Sequence, residues 1–269
     1  MKKFSILLVV ASLCCIACVG NNKALYPKPK GAVRLLQYNV GAFSKYITDS
    51  TCTEMIAAMI RELDADIVSL NETDSCNRRH NKHQCEDLSQ ALGGWAFTFG
   101  RAMPYKDGAY GNGIVCKGEM TPAGLIALDK GEGHEPRCAV ICETPDYVFL
   151  SAHLDHKNHE ASINQARQLT AAVRERYAGC GKPVFLAGDM NATPDNEVIT
   201  ILQQDWDIIS VTGESTFPCP NSRICIDYIF ALKNGCQVKV LGTAVARRFL
   251  SGDVETASDH YPIFVDIAL

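Results

Sequence analysis

Val184-Phe-Leu-Ala-Gly-Asp-Met-Asn-Ala-Thr-Pro194 decides the architecture of this chain. It opens as a short apolar run, the mark of a strand buried on both faces. The run stops at Gly188 and presents Asp189 and Asn191. A buried strand that ends this way reads as one that delivers polar groups to a site at its carboxyl end. Thr193 is placed to cap the following helix, with Pro194 at its first position. Alone, Asp-x-Asn would read as an ordinary Asx turn. Three other stretches repeat the design, and the repetition favours a site.

Working outward, Val33 to Val40 is a strand that ends with Asn39, and Ile67 to Leu70 is a strand followed by Asn71 and Glu72. Between them, Thr51-x-x-Glu54 is a capping box, and Ile56, Met59, Ile60 and Leu63 follow at helical spacing. Strand, helix and strand over so short a span make a βαβ unit with parallel strands. Arg137 to Glu143 and Tyr147 to Leu154 read as a hairpin whose second strand ends in His153-Leu-Asp-His156. A helix over 161–178 precedes the deciding strand. Ile224 to Phe230, Val238 to Val245 and Ile263 to Ile267 complete the strands, with Ser258-Asp-His-Tyr-Pro262 just before the last. Mixed sheets packed face to face, with helices outside, fit this order.

The chain has 269 residues, 47% hydrophobic and 21% charged, long enough for one large core and without a repeat or polar linker to divide it. Lys2 and Lys3 precede an apolar run from Phe4 to Ile16, with no acid before Asp49. That is a secretory signal, too short for a membrane span. Cys15-Ile-Ala-Cys18 is similar to the bacterial lipobox, so residues 1–17 are expected to be removed, Cys18 lipidated and 18–30 to form a tether to a catalytic domain at 31–269. An exported protein held to a membrane by that anchor alone, and monomeric, is the expectation. Acids outnumber Lys and Arg by 30 to 26, which lacks the basic field of a general nucleic-acid binder. Of thirteen cysteines, ten lie beyond Cys18. An even number in an exported protein suggests disulfides, and Cys76–Cys85 and Cys219–Cys225 each bracket a polar loop. Such bridges would hold Arg78, Arg79 and Lys82 beside the site and Asp227 in register with His260.

The polar groups gathered at strand ends are Asn39, Glu72, His153, Asp155, His156, Asp189, Asn191, Asp227, Asp259 and His260. Carboxylates and amides with a few histidines suit a hard divalent cation such as Mg²⁺. Zinc would want three or four His or Cys ligands at tight spacing, and no cysteine pair accompanies such histidines.

Taken in order, Gln37-Tyr-Asn-Val40, Asn71-Glu72, Gly111-Asn112, His153-Leu-Asp-His156, Gly188 to Pro194, Ile226-Asp-Tyr-Ile229 and Ser258 to Pro262 resemble the endonuclease/exonuclease/phosphatase superfamily over residues 33 to 267. The resemblance implies a DNase I-like four-layer α/β/β/α sandwich of two mixed sheets flanked by helices. It also implies metal-dependent hydrolysis of a phosphoester, with Mg²⁺ as cofactor and Mn²⁺ as its substitute. Residue by residue, it makes Glu72, Asn39 and Asp259 the metal group. His260, oriented by Asp227, is the catalytic histidine and shares with Asp189 the activation of water. His153 assists leaving-group protonation. Asn191, Asn112, Arg137 and His156 are the expected substrate contacts. A phosphodiesterase is the leading expectation, acting on nucleic acid, a phospholipid headgroup or inositol phosphates. A phosphomonoesterase on inositol phosphates or similar polyanions is the second, and a non-catalytic binding lipoprotein the third.

Overall fold

The computed structural model describes residues 24–47 and 50–269. The expected signal segment, its cleavage point and Cys18 lie outside them. The first strands are β1 (Val33–Asn39) and β2 (Ile67–Ser75), joined through helix α1 (Thr53–Glu62) and paired parallel with Asn39 beside Asn71. Helix α2 (Gln84–Ala91) leads to the hairpin β3 (Ala96–Tyr105) and β4 (Gly108–Cys116). The chain then builds a second sheet from β5 (Thr121–Leu128), β6 (Arg137–Glu143), β7 (Val148–His153), β8 (Val184–Asp189), β9 (Trp206–Ile208) and β10 (Asp227–Leu232). Helices α3 (His159–Tyr177) and α4 (Glu197–Asp205) cover its outer face. It returns to the first sheet with β11 (Lys239–Val245), the short α5 (Val254–Ala257) and β12 (Ile263–Ala268).

The sheet orders are β11-β12-β1-β2-β4-β3 and β5-β6-β7-β8-β10-β9. Two mixed sheets face each other with helices outside, the DNase I-like sandwich. The deciding strand shows why. On β8, Phe185 and Ala187 join the core between the sheets, whereas Val184 and Leu186 pack with the residues of α3 and α4. Both faces of the strand are buried, each large apolar side chain contributing roughly 1.5–3 kcal/mol. Gly188 is required because β7 passes close: a Cβ there would stand 1.9 Å from the Ala152 carbonyl oxygen.

Each sheet holds one parallel pair near its centre, β1–β2 and β7–β8. Strands β12 and β10 run antiparallel to β1 and β8, so they begin where those end. Six strand ends therefore meet at one edge of the sandwich, and Asn39, Glu72, His153, Asp189, Asp227 and His260 sit on or beside them.

Local details depart from the sequence reading. Helix α1 starts at Thr53 with Cys52 at its N-cap, and no side chain caps it, so the cap expected from Thr51 is not made; the Cys52 N–H is itself held by the Phe43 carbonyl at 2.6 Å. Helix α4 starts later than expected, because the Thr193 carbonyl takes the Asn196 N–H in a turn of its own. Asn196, not Thr193, caps it by accepting the Val198 N–H at 2.9 Å. Within the expected tether, Tyr26 packs edge-on against Phe264 and its hydroxyl accepts the Arg247 N–H, while Lys28 pairs with Asp66. That stretch is docked on the domain.

The two expected disulfides are not formed: all ten cysteines among the described residues are free. Cys85 is buried with its sulfur tight against Gly113 of β4, while Cys76 is exposed. Cys219 and Cys225 turn their sulfurs to different carbonyls, those of Val254 and Asp227. The register of Asp227 is secured otherwise. It lies opposite Asp189 in the β8–β10 ladder, and the Tyr228 hydroxyl donates to the carbonyls of Ala192 and Cys225 on either side of the turn.

Candidate active site

The converging strand ends line a cleft of about 310 Å³ whose walls include Glu72, Asp259, Asp189, His260, Asn191, His153, Arg137 and His156. Glu72 reaches it through a defect in β2. Between Leu70 and Thr73 that strand carries one residue more than its partner β4, a β-bulge, and Glu72 is left-handed at φ 61°. A bulge re-aims a side chain that strict alternation would bury. Asn71 thereby stays between the sheets, donating to the Ala152 carbonyl at 2.9 Å and to Asn112 at 3.1 Å. Asn191 is also left-handed, at φ 49°, and its N–H donates to Asp189 Oδ1 at 2.9 Å. The Asx turn and the site are one object: Oδ1 makes the turn and Oδ2 faces the cleft.

Asp189 Oδ2 lies 3.6 Å from both His260 Nε2 and His153 Nε2. His260 Nδ1 is 2.9 Å from Asp227 Oδ2, and Phe217 leans over the ring at a centroid distance of 4.7 Å. Burial favours the neutral imidazole, but Asp227 and Asp189 outweigh it and lift the His260 pKa. Burial raises Asp189, with Asp227 adding to the effect and His260 opposing it. The three share protons as a unit, set for one group to give up what another takes.

Arg137 sits in the opposite wall, 4% exposed, with its Nη atoms 3.2 Å from the Nδ1 atoms of His153 and His156 and 3.0 Å from a Glu135 carboxylate oxygen. A guanidinium only donates, so Nδ1 of His156 accepts, while His153 meets nitrogen donors at both ring nitrogens, Arg137 at Nδ1 and the Asn191 amide nitrogen 2.9 Å from Nε2. Burial, Arg137 and His260 hold the His153 pKa well below the usual histidine value. Charge on the His153 ring is thus disfavoured in this arrangement. Asn39 is recast. Its Oδ1 accepts the Gly41 N–H at 3.1 Å, which turns its Nδ2 toward Glu72 Oε1 at 3.0 Å and Asp189 Oδ2 at 3.1 Å. An amide N–H cannot ligate a cation, so Asn39 orients the carboxylates.

The oxygen donors that remain fit a hard divalent ion. Asp259 Oδ1 is buried with no hydrogen-bond partner among the protein atoms, which suits an oxygen that takes up a cation. Burial raises the Asp259 pKa, and the nearby charge of Glu72 adds to the rise, as between two carboxylates that share a cation. Glu72, Asp189 and His153 also place ligand atoms within 4.8 Å of one another.

Other expected residues are elsewhere. Asn112 is buried behind the cleft, donating to the Cys138 carbonyl at 2.8 Å, so it supports Asn71 and does not reach substrate. Asp155 accepts the N–H groups of His134, Lys157 and Asn158 and shapes the start of α3. Arg79 is buried and spent on Asp74, at 2.7 and 2.8 Å, under the rings of Tyr46, Tyr105 and Tyr110. Arg78 pairs with Asp107 in the open, and Lys82 faces Asp87. The basic segment does not form a grip on the cleft.

Two contributors were not singled out from the sequence. Gln37 donates to Asn71 at 2.6 Å and to Asp227 at 3.2 Å, joining the two sheets under the site. The Tyr46 hydroxyl donates to Glu72 Oε2. Gln37 stood in a quoted motif, one alternation from Asn39, and that spacing was the available signal; nothing local marked Tyr46.

A facing pair of mixed sheets with a carboxylate- and histidine-lined cleft at the strand ends defines a class of hydrolase fold. The sequence profile of the endonuclease/exonuclease/phosphatase family matches residues 36–260, and the chain belongs to that family. It is by class a metal-dependent phosphoester hydrolase. Among solved structures, a mannosyl-6-phosphatase from Bacteroides thetaiotaomicron VPI-5482 is similar at TM-score 0.71 and 20% identity, covering 88% of this chain and 100% of its own. An endonuclease/exonuclease/phosphatase from Beutenbergia cavernae DSM 12333 is similar at 0.70 and 18%, covering 89% and 72%. D. rerio TDP2 complexed with single-strand DNA product is similar at 0.64 and 16%, covering 88% and 98%. At these identities the likeness is one of fold. No curated protein matches the chain.

Proposed function

We propose that this protein is a Mg²⁺-dependent phosphodiesterase, with Mn²⁺ able to substitute, that hydrolyses its substrate by in-line attack of water on phosphorus. One observation carries the reading. Glu72 and the orphaned Asp259 oxygen share a cleft with the Asp227–His260–Asp189 unit, and hydrogen-bond donors from Asn191, His153 and Arg137 flank them. A divalent ion held by Glu72 and Asp259 would supply positive charge to a phosphoryl oxygen and to the leaving oxygen. Asp189 and His260 jointly accept the proton of the attacking water, and Asp227 holds the imidazole in its tautomer and stabilises its protonated form. Asn191 and His153, whose side-chain nitrogens meet at 2.9 Å beside the cleft, donate to phosphoryl oxygens once substrate takes the place of that contact, and one preorganised donor contributes roughly 3 kcal/mol. The cleft is lined by Tyr46 and Tyr110 as well as Phe217 and Ile226, apolar surface for the ester groups of a diester.

A second reading, a phosphomonoesterase, draws on Arg137. Its Nε is buried without a partner beside the cleft, and a doubly charged terminal phosphate would use that cation better than a diester. Turnover of bis-p-nitrophenyl phosphate, p-nitrophenyl phosphate, DNA, a choline phospholipid and inositol phosphates, each with Mg²⁺ and with EDTA, separates the two. Diester hydrolysis abolished by EDTA and by Glu72→Ala supports the proposal. Activity that resists EDTA, or confined to monoesters, overturns it. We place the protein outside the cytoplasm, anchored through Cys18; Cys18→Ser is expected to release it from the membrane fraction or leave it unprocessed.

A further inference from the structure

Glu72 is buried, yet each of its carboxylate oxygens already has a donor: Asn39 Nδ2 on Oε1 at 3.0 Å and the Tyr46 hydroxyl on Oε2. The tyrosine is not placed casually. The guanidinium of Arg79 stands over its ring at 5.3 Å, and Arg79 is itself buried and bound through two nitrogens to Asp74. Asp74 lies two residues beyond Glu72 on β2. The hydroxyl and the carboxylate it touches are therefore both referenced to the same strand, and neither can drift without the other. Four non-glycine residues between Ala42 and Tyr46 adopt left-handed conformations to bring the ring there, with Tyr46 at φ 66°. Such backbone conformations are costly and persist where the surroundings over-determine them.

Bidentate coordination needs a lone pair from each oxygen of a carboxylate turned to one ion, and the Tyr46 hydroxyl competes for one on Oε2. Ca²⁺ fills six to eight oxygen positions and accepts bidentate carboxylates, whereas Mg²⁺ demands a near-ideal octahedron built from one or two carboxylates and water. We propose that Tyr46 is a positioning residue that keeps Glu72 to one-oxygen coordination and thereby selects Mg²⁺ and Mn²⁺ over Ca²⁺. The inference rests on the metal-dependent reading above.

Isothermal titration calorimetry of the full chain with MgCl₂, MnCl₂ and CaCl₂ tests it without reference to turnover. Tyr46→Phe removes only the hydroxyl of a partly exposed side chain. It is expected to tighten Ca²⁺ binding about fivefold, the effect of releasing one hydrogen bond, while Mg²⁺ binding moves less than about twofold. Tyr46→Leu, which removes ring and hydroxyl together, must shift the ratio in the same direction. An unchanged Ca²⁺/Mg²⁺ ratio in both variants, with Mg²⁺ still bound by the wild type, overturns the inference alone. A wild type that binds no divalent ion overturns the metal-dependent reading as well.

Discussion

Two Asp–His pairs are buried in this protein at nearly the same separation, 2.8 Å for Asp74 with His80 and 2.9 Å for Asp227 with His260. Their surroundings differ in one respect. Around the first pair nothing is left over. Asp74 also takes both arms of Arg79, and His80 Nε2 meets the carbonyls of Ile47 and Ser50 at 2.8 and 3.1 Å. Around the second, Nε2 of His260 has only long contacts, 3.4 Å to Asn39 and 3.6 Å to Asp189, and it faces the cleft. A His–Asp pair becomes chemistry when one end of it remains unspent. The sealed pair instead ties the chain around Tyr46 to β2.

The sharpest way to break this comparison is to remove each histidine. His260→Ala and Asp227→Asn are each expected to lower kcat by about 10²–10⁴, the double variant little more, because the pair acts as a unit. His80→Ala is expected to reduce kcat far less. Multiplicative losses in the double variant, or equal losses at His80, would erase the distinction.

Stability should reverse the ranking. Asp74→Asn leaves Arg79 buried beside a neutral amide, and breaking a buried pair from one side costs about 3–5 kcal/mol. Urea unfolding monitored by circular dichroism measures it; a variant as stable as the wild type would show that Arg79 finds another partner.

The two pairs also pull stability in opposite directions with pH. Burial opposes the charge on Asp74, yet the bonds from Arg79 and His80 outweigh it and hold its pKa below the ordinary value. Its contribution is present above about pH 4 and lost as pH falls through the depressed value. The His260 pKa is raised, so its contribution is full below about pH 6.5 and lost as pH rises through the raised value. In EDTA, thermal midpoints against pH should lose their alkaline limb in His260→Ala and their acid limb in Asp74→Asn. Either variant flattening the other limb would contradict the assignment.

The smallest effect is expected at Arg78, the exposed member of the basic segment. Its ion pair with Asp107 is solvated at 2.8 Å, and Arg78→Ala should change unfolding free energy by less than about 1 kcal/mol. A rise in KM for a polyanionic substrate would restore the substrate-gripping role that the structure withholds from Arg79.

What the sequence determined by itself is the set of strand ends. Strands alternate their side chains and buried strands run apolar, so Asn39, Glu72, His153 and Asp189 announce themselves where those patterns stop. Asp227 and His260 were gathered with them at the strand ends, and the family resemblance then gave the pair its role. Only the tertiary structure decided which polar groups are spent. Arg79 lies five residues from the Asp74 that consumes it, but the Gly41 N–H that turns Asn39 from ligand to donor depends on a left-handed turn. The bulge that aims Glu72 is a mismatch with β4, about forty residues away in the chain. Cys85 is free because its sulfur fills space against Gly113, not because of its spacing from Cys76. Periodicity records which way a side chain points. Whether its hydrogen bonds are already taken is settled by neighbours that periodicity does not see.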